Sequence, residues 1–402
     1  MEVMPGFKRT EAGLIPDTWE CEKLAELISF ISYGFTNPMP TVHDGIYMLT
    51  AADINNGRLQ LESARKTSNQ AYQTLLTGKS KPRPNDILLT KDGTLGRLAL
   101  IKDEIVCINQ SVAVLRPNDR VDPKFLKLLL ESPKCQKRMI EDAGGSTIKH
   151  IYITIVDKMP LGLPLDKPEQ RAIAEALSDM DALLDSLDRL IAKKRDLKQA
   201  AMQQLLTGMT RLPGFSGEWE EKRLGDVLKF QVGCPFSSEF FNEKEQGVRL
   251  VKNRDLKNDD QIFFYTGKYE AAFCVNNGDV LIGMDGDFLP CRWSKGPALL
   301  NQRVGRLLPF NGLNQDFVFY YLIEPLKEIE QATSSTTVKH LSHSDVENIV
   351  KPLPSFAEQT AIAAVLVNID AEITVLEAQR EKTASLKQGM MQELLTGRTR
   401  LV

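Results

Sequence analysis

No run in this chain of 402 residues approaches the ~20 consecutive apolar residues of a membrane span. The opening segment, MEVMPGFKRTEAG, has no apolar core of the kind a secretory signal carries. The expected location is therefore the cytoplasm, with no membrane partner. Cysteine is sparse: Cys21, Cys107, Cys135, Cys234, Cys274 and Cys291 lie far apart, and none forms Cys-x-x-Cys. That excludes the usual zinc spacings and a disulfide framework, so reduced thiols are expected. An excess of positive charge is also missing. The 50 Lys and Arg are outnumbered by 53 Asp and Glu, leaving a net charge of −3 and a pI near 6.0. A polyanion would have to be met by local clusters, because affinity depends on the few cations that face phosphate.

Catalytic constellations are missing as well. Residues 75–80 read LLTGKS and end like a phosphate-binding loop, but that motif needs glycine where Gln73 stands. His340 and His343 have no third ligand beside them, so they are not read as a metal site. Asn37-Pro38-Met39-Pro40 lacks the aromatic residue of an adenine-methyltransferase tetrapeptide. The pairs Asp259/Asp260 and Asp285/Asp287 read as turn residues. The chain is therefore expected to be no enzyme, with no metal and no cofactor of its own.

Between Pro168 and Gly208 there is neither proline nor glycine, and this stretch occurs twice. Residues 169–212, EQRAIAEALSDMDALLDSLDRLIAKKRDLKQAAMQQLLTGMTRL, align without a gap on residues 358–401, EQTAIAAVLVNIDAEITVLEAQREKTASLKQGMMQELLTGRTRL, and about half the positions are identical. In the first copy Ile173, Leu177, Met180, Leu184, Leu187 and Ile191 alternate four and three apart. Ile362, Leu366, Ile369, Ile373 and Leu376 do the same in the second. That is a coiled-coil seam, on helices about 60 Å long at ~1.5 Å per residue. Such a seam needs a partner helix, and the other copy is the nearest candidate. Lys194, Lys198, Arg380, Thr383 and Lys387 fall on the seam further along and leave room there for another protein. Gly208 and Gly397 suit C-terminal caps.

The rest of the chain falls into two blocks. In residues 1–165, short strands are predicted at Ile46–Leu49, 87–89, 98–101 and 112–115, with a short helix or strand at 24–31 and one helix over 123–140. Residues 213–354 repeat the skeleton. Trp219-Glu220 echoes Trp19-Glu20, Asp285-Gly286 echoes Asp92-Gly93, and Asn301-Gln302 echoes Asn109-Gln110. Thr336-Thr337-Val338-Lys339-His340 echoes Ser146-Thr147-Ile148-Lys149-His150. Between these anchors the blocks share little. Two helices kept alike answer to one kind of partner surface, whereas two divergent blocks meet different things.

A divergent block followed by a helix opening on PLDKPEQ (164–170), then a second block and PSFAEQ (354–359), resembles the specificity subunit of a type I restriction-modification enzyme. The resemblance covers essentially the whole chain; Ala357 stands where Pro168 opens the first helix. It implies an α+β fold. Two globular α/β target-recognition domains, 1–165 and 213–354, would be separated by an antiparallel coiled coil of the long helices 166–212 and 355–402, in a pseudo-two-fold arrangement. Each domain would read half of a bipartite, asymmetric site on double-stranded DNA, and the coil would set the unread spacer. The chain would dock two methyltransferase subunits that use S-adenosylmethionine to methylate adenine. Restriction-motor subunits using ATP and Mg2+ would join them. The other reading is a non-catalytic scaffold whose blocks bind proteins.

Candidate DNA contacts are local clusters of the residue types that meet phosphates and base edges. In the first block these are Lys79, Lys81, Arg83, Lys91 and Arg97. In the second they are Arg249, Lys252, Asn253 and Arg254. The recurring loops add Ser146, Thr147, Lys149 and His150, with Thr336, Thr337, Lys339 and His340.

Overall fold

The computed structural model describes residues 5–144, 149–332 and 339–401. It divides into two compact units, Met1–Asp188 with Gln379–Val402, and Arg189–Ala378. Both divisions fall inside the long helices, which run over Lys167–Leu205 and Phe356–Leu394. The segments drawn from sequence as 166–212 and 355–402 thus end in non-helical tails. Gly208 and Gly397 open these tails with φ of 71° and 69°, the left-handed conformation that stops a helix without a Cβ penalty.

In the first unit a four-stranded antiparallel sheet runs in the order Leu98–Leu100, Ile87–Thr90, Val112–Pro117, Ile28–Tyr33. Its central strands are buried on both faces because successive side chains alternate. Ile87 and Leu89, with Ala113 and Leu115, enter a core shared with the helices, while Leu88, Val112 and Val114 enter a second core. That second core is closed by a smaller sheet whose strands Ile46–Leu49 and Val106–Ile108 pair in parallel. The second unit repeats the plan with different residues. Its sheet order is Leu228–Val232, Val304–Pro309, Val280–Gly283, Pro290–Arg292. Val280 and Ile282 face one core and Leu281 the other. Val248–Val251 and Ala298–Leu300 form the parallel pair.

Two helices cover each main sheet. The single helix predicted over 123–140 is in fact two, Pro123–Glu131 and Pro133–Glu141. Pro133 has no N–H to continue the ladder, and the Ser132 hydroxyl caps Cys135 N instead. Residues 24–31, read as helix or strand, hold both: a short helix Leu24–Leu27 and then the strand Ile28–Tyr33.

The long helices meet inside each unit. In the first, Ile173, Ala174 and Leu177 share a core with Leu394 and Leu395. Asp188 pairs with Arg380, Asp181 with Lys387 at 2.5 Å, and Glu169 with Arg400. In the second, Leu205 lies in one core with Ile362, Ala363 and Leu366. Lys194 pairs with Glu372, Arg195 with Glu377 at 2.5 Å, Lys198 with Asp370 at 2.6 Å, and Arg211 with Glu358 at 2.5 Å. From Glu169–Arg400 to Asp188–Arg380, and from Lys194–Glu372 through Lys198–Asp370 to Arg211–Glu358, partner numbers fall as residue numbers rise, so both pairings are antiparallel. Lys198–Asp370 and Lys387–Asp181 occupy equivalent places in the two copies, as do Arg211–Glu358 and Arg400–Glu169. Of the seam residues, Ile173, Leu177, Leu187, Ile191, Ile362, Leu366 and Ile373 are buried; Met180, Leu184, Ile369 and Leu376 are half-buried. The cations that interrupt the seam are held by acids of the facing helix, and Thr383 is buried.

The Glu-Gln pair that opens each helix has a structural task. Gln170 accepts a hydrogen bond from Asp122 N (2.7 Å) and donates to Pro164 O (2.8 Å). Gln359 accepts from Asn314 N (2.8 Å) and donates to Pro354 O (2.9 Å). Asp122 and Asn314 are themselves N-caps of the helices that cover the sheets, so each glutamine fastens a long helix to its block.

Candidate nucleic-acid interface

In the first unit the central hairpin turns at Lys91-Asp92-Gly93, where Gly93 has φ 76°. The following loop is stitched to this turn. His150 Nδ1 lies 2.5 Å from an Asp92 carboxylate oxygen, Ile151 N donates to Lys91 O at 2.9 Å, and His150 exchanges backbone hydrogen bonds with Gly144. Lys91 Nζ donates to Asp92 at 2.7 Å. Burial pushes the Asp92 carboxyl upward, but hydrogen bonds from Lys91 and His150 outweigh it and hold the group below its ordinary value.

The second unit builds the same latch. His340 Nδ1 lies 2.9 Å from Asp285, Gly286 N donates to Lys339 O at 3.0 Å, and Leu341 N donates to Met284 O at 2.8 Å. Arg303 joins it, 3.4 Å from His340 and 3.6 Å from Asp285. Asn253 Nδ2 donates to Asp285 O at 2.7 Å. Gly283 permits this approach, since a Cβ there would lie 2.0 Å from the Asn253 side-chain oxygen. Asp285, read from sequence as a turn residue, is thus an ion partner too, and Asp287 pairs with Lys257 at 2.5 Å.

Around the latches the two units differ. In the first, Lys79 and Lys91 flank the half-exposed ring of Tyr33, at 5.8 and 5.5 Å from its centroid. Lys81 lies over Tyr72 at 4.7 Å. In the second, Lys252 and Arg254 share the ring of Phe263, at 3.2 and 5.5 Å. Burial, reinforced by the Arg254 charge, lowers the Lys252 pKa. Such pairs of cation and aromatic face carry the chemistry that phosphates and unstacked bases meet.

The structure brings Lys91 and His150 together at one latch, and Asn253, Lys339 and His340 at the other. Lys149 is exposed beside the first, and Arg83 is exposed. Lys339 lies 3.4 Å from Glu330. Two candidates are engaged inside the fold: Arg97 donates to Ile54 O at 3.2 Å, and Arg249 pairs with Asp259 at 2.5 Å over the Trp293 ring. Ser146, Thr147, Thr336 and Thr337 lie outside the described residues. Sequence reasoning missed Tyr33, Phe263, Arg303 and the two latch aspartates. The repeated Asp-Gly turn was the available signal for the aspartates; nothing local pointed to the rings. Among the described residues no group of acids, histidines and cysteines could hold a metal ion. No described helix is long and apolar enough to cross a membrane.

Comparison with known proteins identifies the family and the fold. A family model described as the type I restriction modification DNA specificity domain fits residues 16–193 and again 216–385. The type I restriction enzyme MjaVIII specificity subunit of Methanocaldococcus jannaschii is 26% identical, with 98% of this chain and 96% of its own length covered. The type I restriction enzyme EcoBI specificity subunit of Escherichia coli is 33% identical, with 45% of this chain and 39% of its own covered. The crystal structure of a type I restriction-modification S subunit from M. genitalium shares the fold. It superposes with a TM-score of 0.65 at 19% identity, covering 98% of each chain.

Proposed function

Since this chain belongs to the type I restriction-modification DNA specificity family, matched in both halves, we propose that each of its two specificity domains reads one half of a bipartite, asymmetric site on double-stranded DNA. One observation carries the reading: each unit repeats the same hairpin–histidine latch and sets a different cluster of rings and cations around it. Tyr33 with Lys79 and Lys91 in one, and Phe263 with Lys252 and Arg254 in the other, are two different faces on one scaffold. Lysines of these clusters position phosphates, and the loops that the latches hold carry the base readers.

In this reading the chain performs no chemistry. It docks two methyltransferase subunits, which bind S-adenosylmethionine and methylate adenine, and restriction-motor subunits supply the ATP- and Mg2+-dependent steps. The paired helices set the spacer, whose natural scale is the ~34–36 Å turn of a duplex. The test is a gel shift of the chain assembled with its methyltransferase, first on random duplex and then on a site series. Non-specific binding at low salt that weakens steeply as salt rises fits DNA reading. A protein-binding scaffold would shift no duplex even at low salt.

A further inference from the structure

In each unit one strand of the parallel pair ends in the same tight corner. After Ile46–Leu49 comes the single-turn helix Ala51–Asp53, and after Val248–Val251 comes Asn253–Leu256. An aspartate closes each corner: Asp53 accepts from Thr50 N and Asp255 from Lys252 N, both at 2.8 Å. One more contact fixes the correspondence, Asn109 N to Leu49 O at 3.0 Å and Asn301 N to Val251 O at 3.3 Å. Thr50, Ala51 and Ala52 therefore stand where Lys252, Asn253 and Arg254 stand in the second unit. Both aspartates are buried, and a buried carboxylate is costly unless partners hold it. Two blocks that otherwise share little have both kept this corner at that cost.

Each corner also lies against its latch. A Cβ on Gly93 would stand 4.0 Å from that of Ala51, and Asn253 donates to Asp285 O. What the corners present outward is unlike. Ala52 and Arg254 are exposed, and Thr50 and Lys252 are half-buried. The first corner thus offers methyl groups, the second two cations over the Phe263 ring. These two cations differ from those around them. Arg249, Lys257 and Lys295 each hold a carboxylate, at 2.5, 2.5 and 2.8 Å. The Lys252 ammonium has, among the described residues, no hydrogen-bond or ion partner, only the rings of Phe241 and Phe263. Arg254 lies 3.6 Å from Asp255, beyond a hydrogen bond, and donates to the neutral Gln261 side chain at 3.0 Å. Gln261 is itself exposed, so another neutral acceptor can replace it.

We propose that this corner is the specificity-determining element of each domain: Arg254 reads a guanine in one half-site, and the methyl groups of Thr50 and Ala52 meet a thymine in the other. Guanine shows two acceptors, O6 and N7, on its major-groove edge, which a guanidinium meets with two donors, whereas thymine shows a methyl group there. Lys252 holds a neighbouring phosphate. Asn253, bound to the latch, is a positioning residue. This rests on the reading that each domain meets half of a DNA site, and it names the side chains that choose a base in each half.

The test uses the full chain assembled with its methyltransferase, acting on a duplex library whose modified bases are read by sequencing. In wild type one half-site should contain a guanine that other bases replace poorly. Arg254→Ala should lower discrimination at that one position by about 5- to 150-fold and leave the other half-site as it was. Arg254→Gln should move the preference there from guanine toward adenine, whose N6 and N7 suit an amide. Ala52→Arg should change one position of the other half-site, away from thymine. Both positions are exposed, so thermal melting should be unchanged. If both Arg254 variants keep the wild-type motif, or weaken methylation of every sequence alike, Arg254 reads no base and the proposal falls. A change at a base other than guanine overturns it as well, and an unchanged motif in Ala52→Arg overturns the role of the first corner. A wild-type assembly with no bipartite motif sinks the underlying reading instead.

Discussion

Replacing Gln170 by alanine tests why each long helix opens on Glu-Gln. Gln170 is fully buried. Its removal strands the N–H of Asp122 and the carbonyl of Pro164, which it holds at 2.7 and 2.8 Å. A buried backbone group left without a partner costs about 1–3 kcal/mol. Two such groups cost roughly 2–6 kcal/mol, and the side-chain entropy released by the shorter residue offsets up to ~2 kcal/mol. With the full offset a net loss of about 0–4 kcal/mol remains, with a midpoint near ~2 kcal/mol. For a unit of this size each kcal/mol lowers the melting temperature by about 2–4 °C. Gln170→Glu should be no better, because a carboxylate still accepts from Asp122 N but faces the Pro164 carbonyl with no proton to give. Urea melts of wild type, Gln170→Ala and Gln359→Ala supply the measurement. Variants within about 0.5 kcal/mol of wild type, the range of inert surface changes, would mean that solvent satisfies these groups and the clamp explanation is wrong.

Other outcomes follow from the same structure. Leu177→Ala and Leu366→Ala, each emptying a fully buried seam position, should cost about 2–5 kcal/mol by the cavity they leave, again read in urea melts. Asp92 has a depressed folded pKa, so its contribution to stability is full above its ordinary value and is lost as pH falls through the folded one. Asp92→Asn should therefore be less stable than wild type near neutral pH, with the gap closing in acid; a constant gap would show that the latch is not electrostatic. Lys79→Ala should reduce the slope of log affinity against log salt by about one phosphate contact, without changing sequence preference. Extending both long helices equally should lengthen the methylated spacer and leave the half-sites alone; an altered half-site would contradict their role as a ruler.

The long helices were legible because the four–three spacing of Ile173 through Ile191 is a local pattern, and the repeat identified each helix's counterpart. The acids that meet the seam cations were not. Asp181, Asp188, Asp370 and Glu372 become partners only once an antiparallel register is fixed, and single residues do not fix it. The break at Ser132-Pro133 was readable, since a capping serine followed by proline opens a helix as readily as proline ends one; the apolar rhythm across it hid the signal. The central strands were found from their apolar runs, but their burial on two faces needed the sheet. At the candidate interface the basic clusters were visible as composition. Their sorting was not: Arg249 and Arg97 turn inward to Asp259 and the Ile54 carbonyl, while Lys79 and Lys91 share the distant Tyr33. A cation's sequence neighbours do not reveal which way it faces.

If the two domains read two separate half-sites for a shared adenine methyltransferase, the genome of the host records both. Sequencing modified bases in DNA from cells that express this chain with its methyltransferase reads that record. One asymmetric motif is expected, two short specified blocks around an unspecified gap, with methyladenine in both. A continuous motif, or no methylation that depends on this chain, would contradict it.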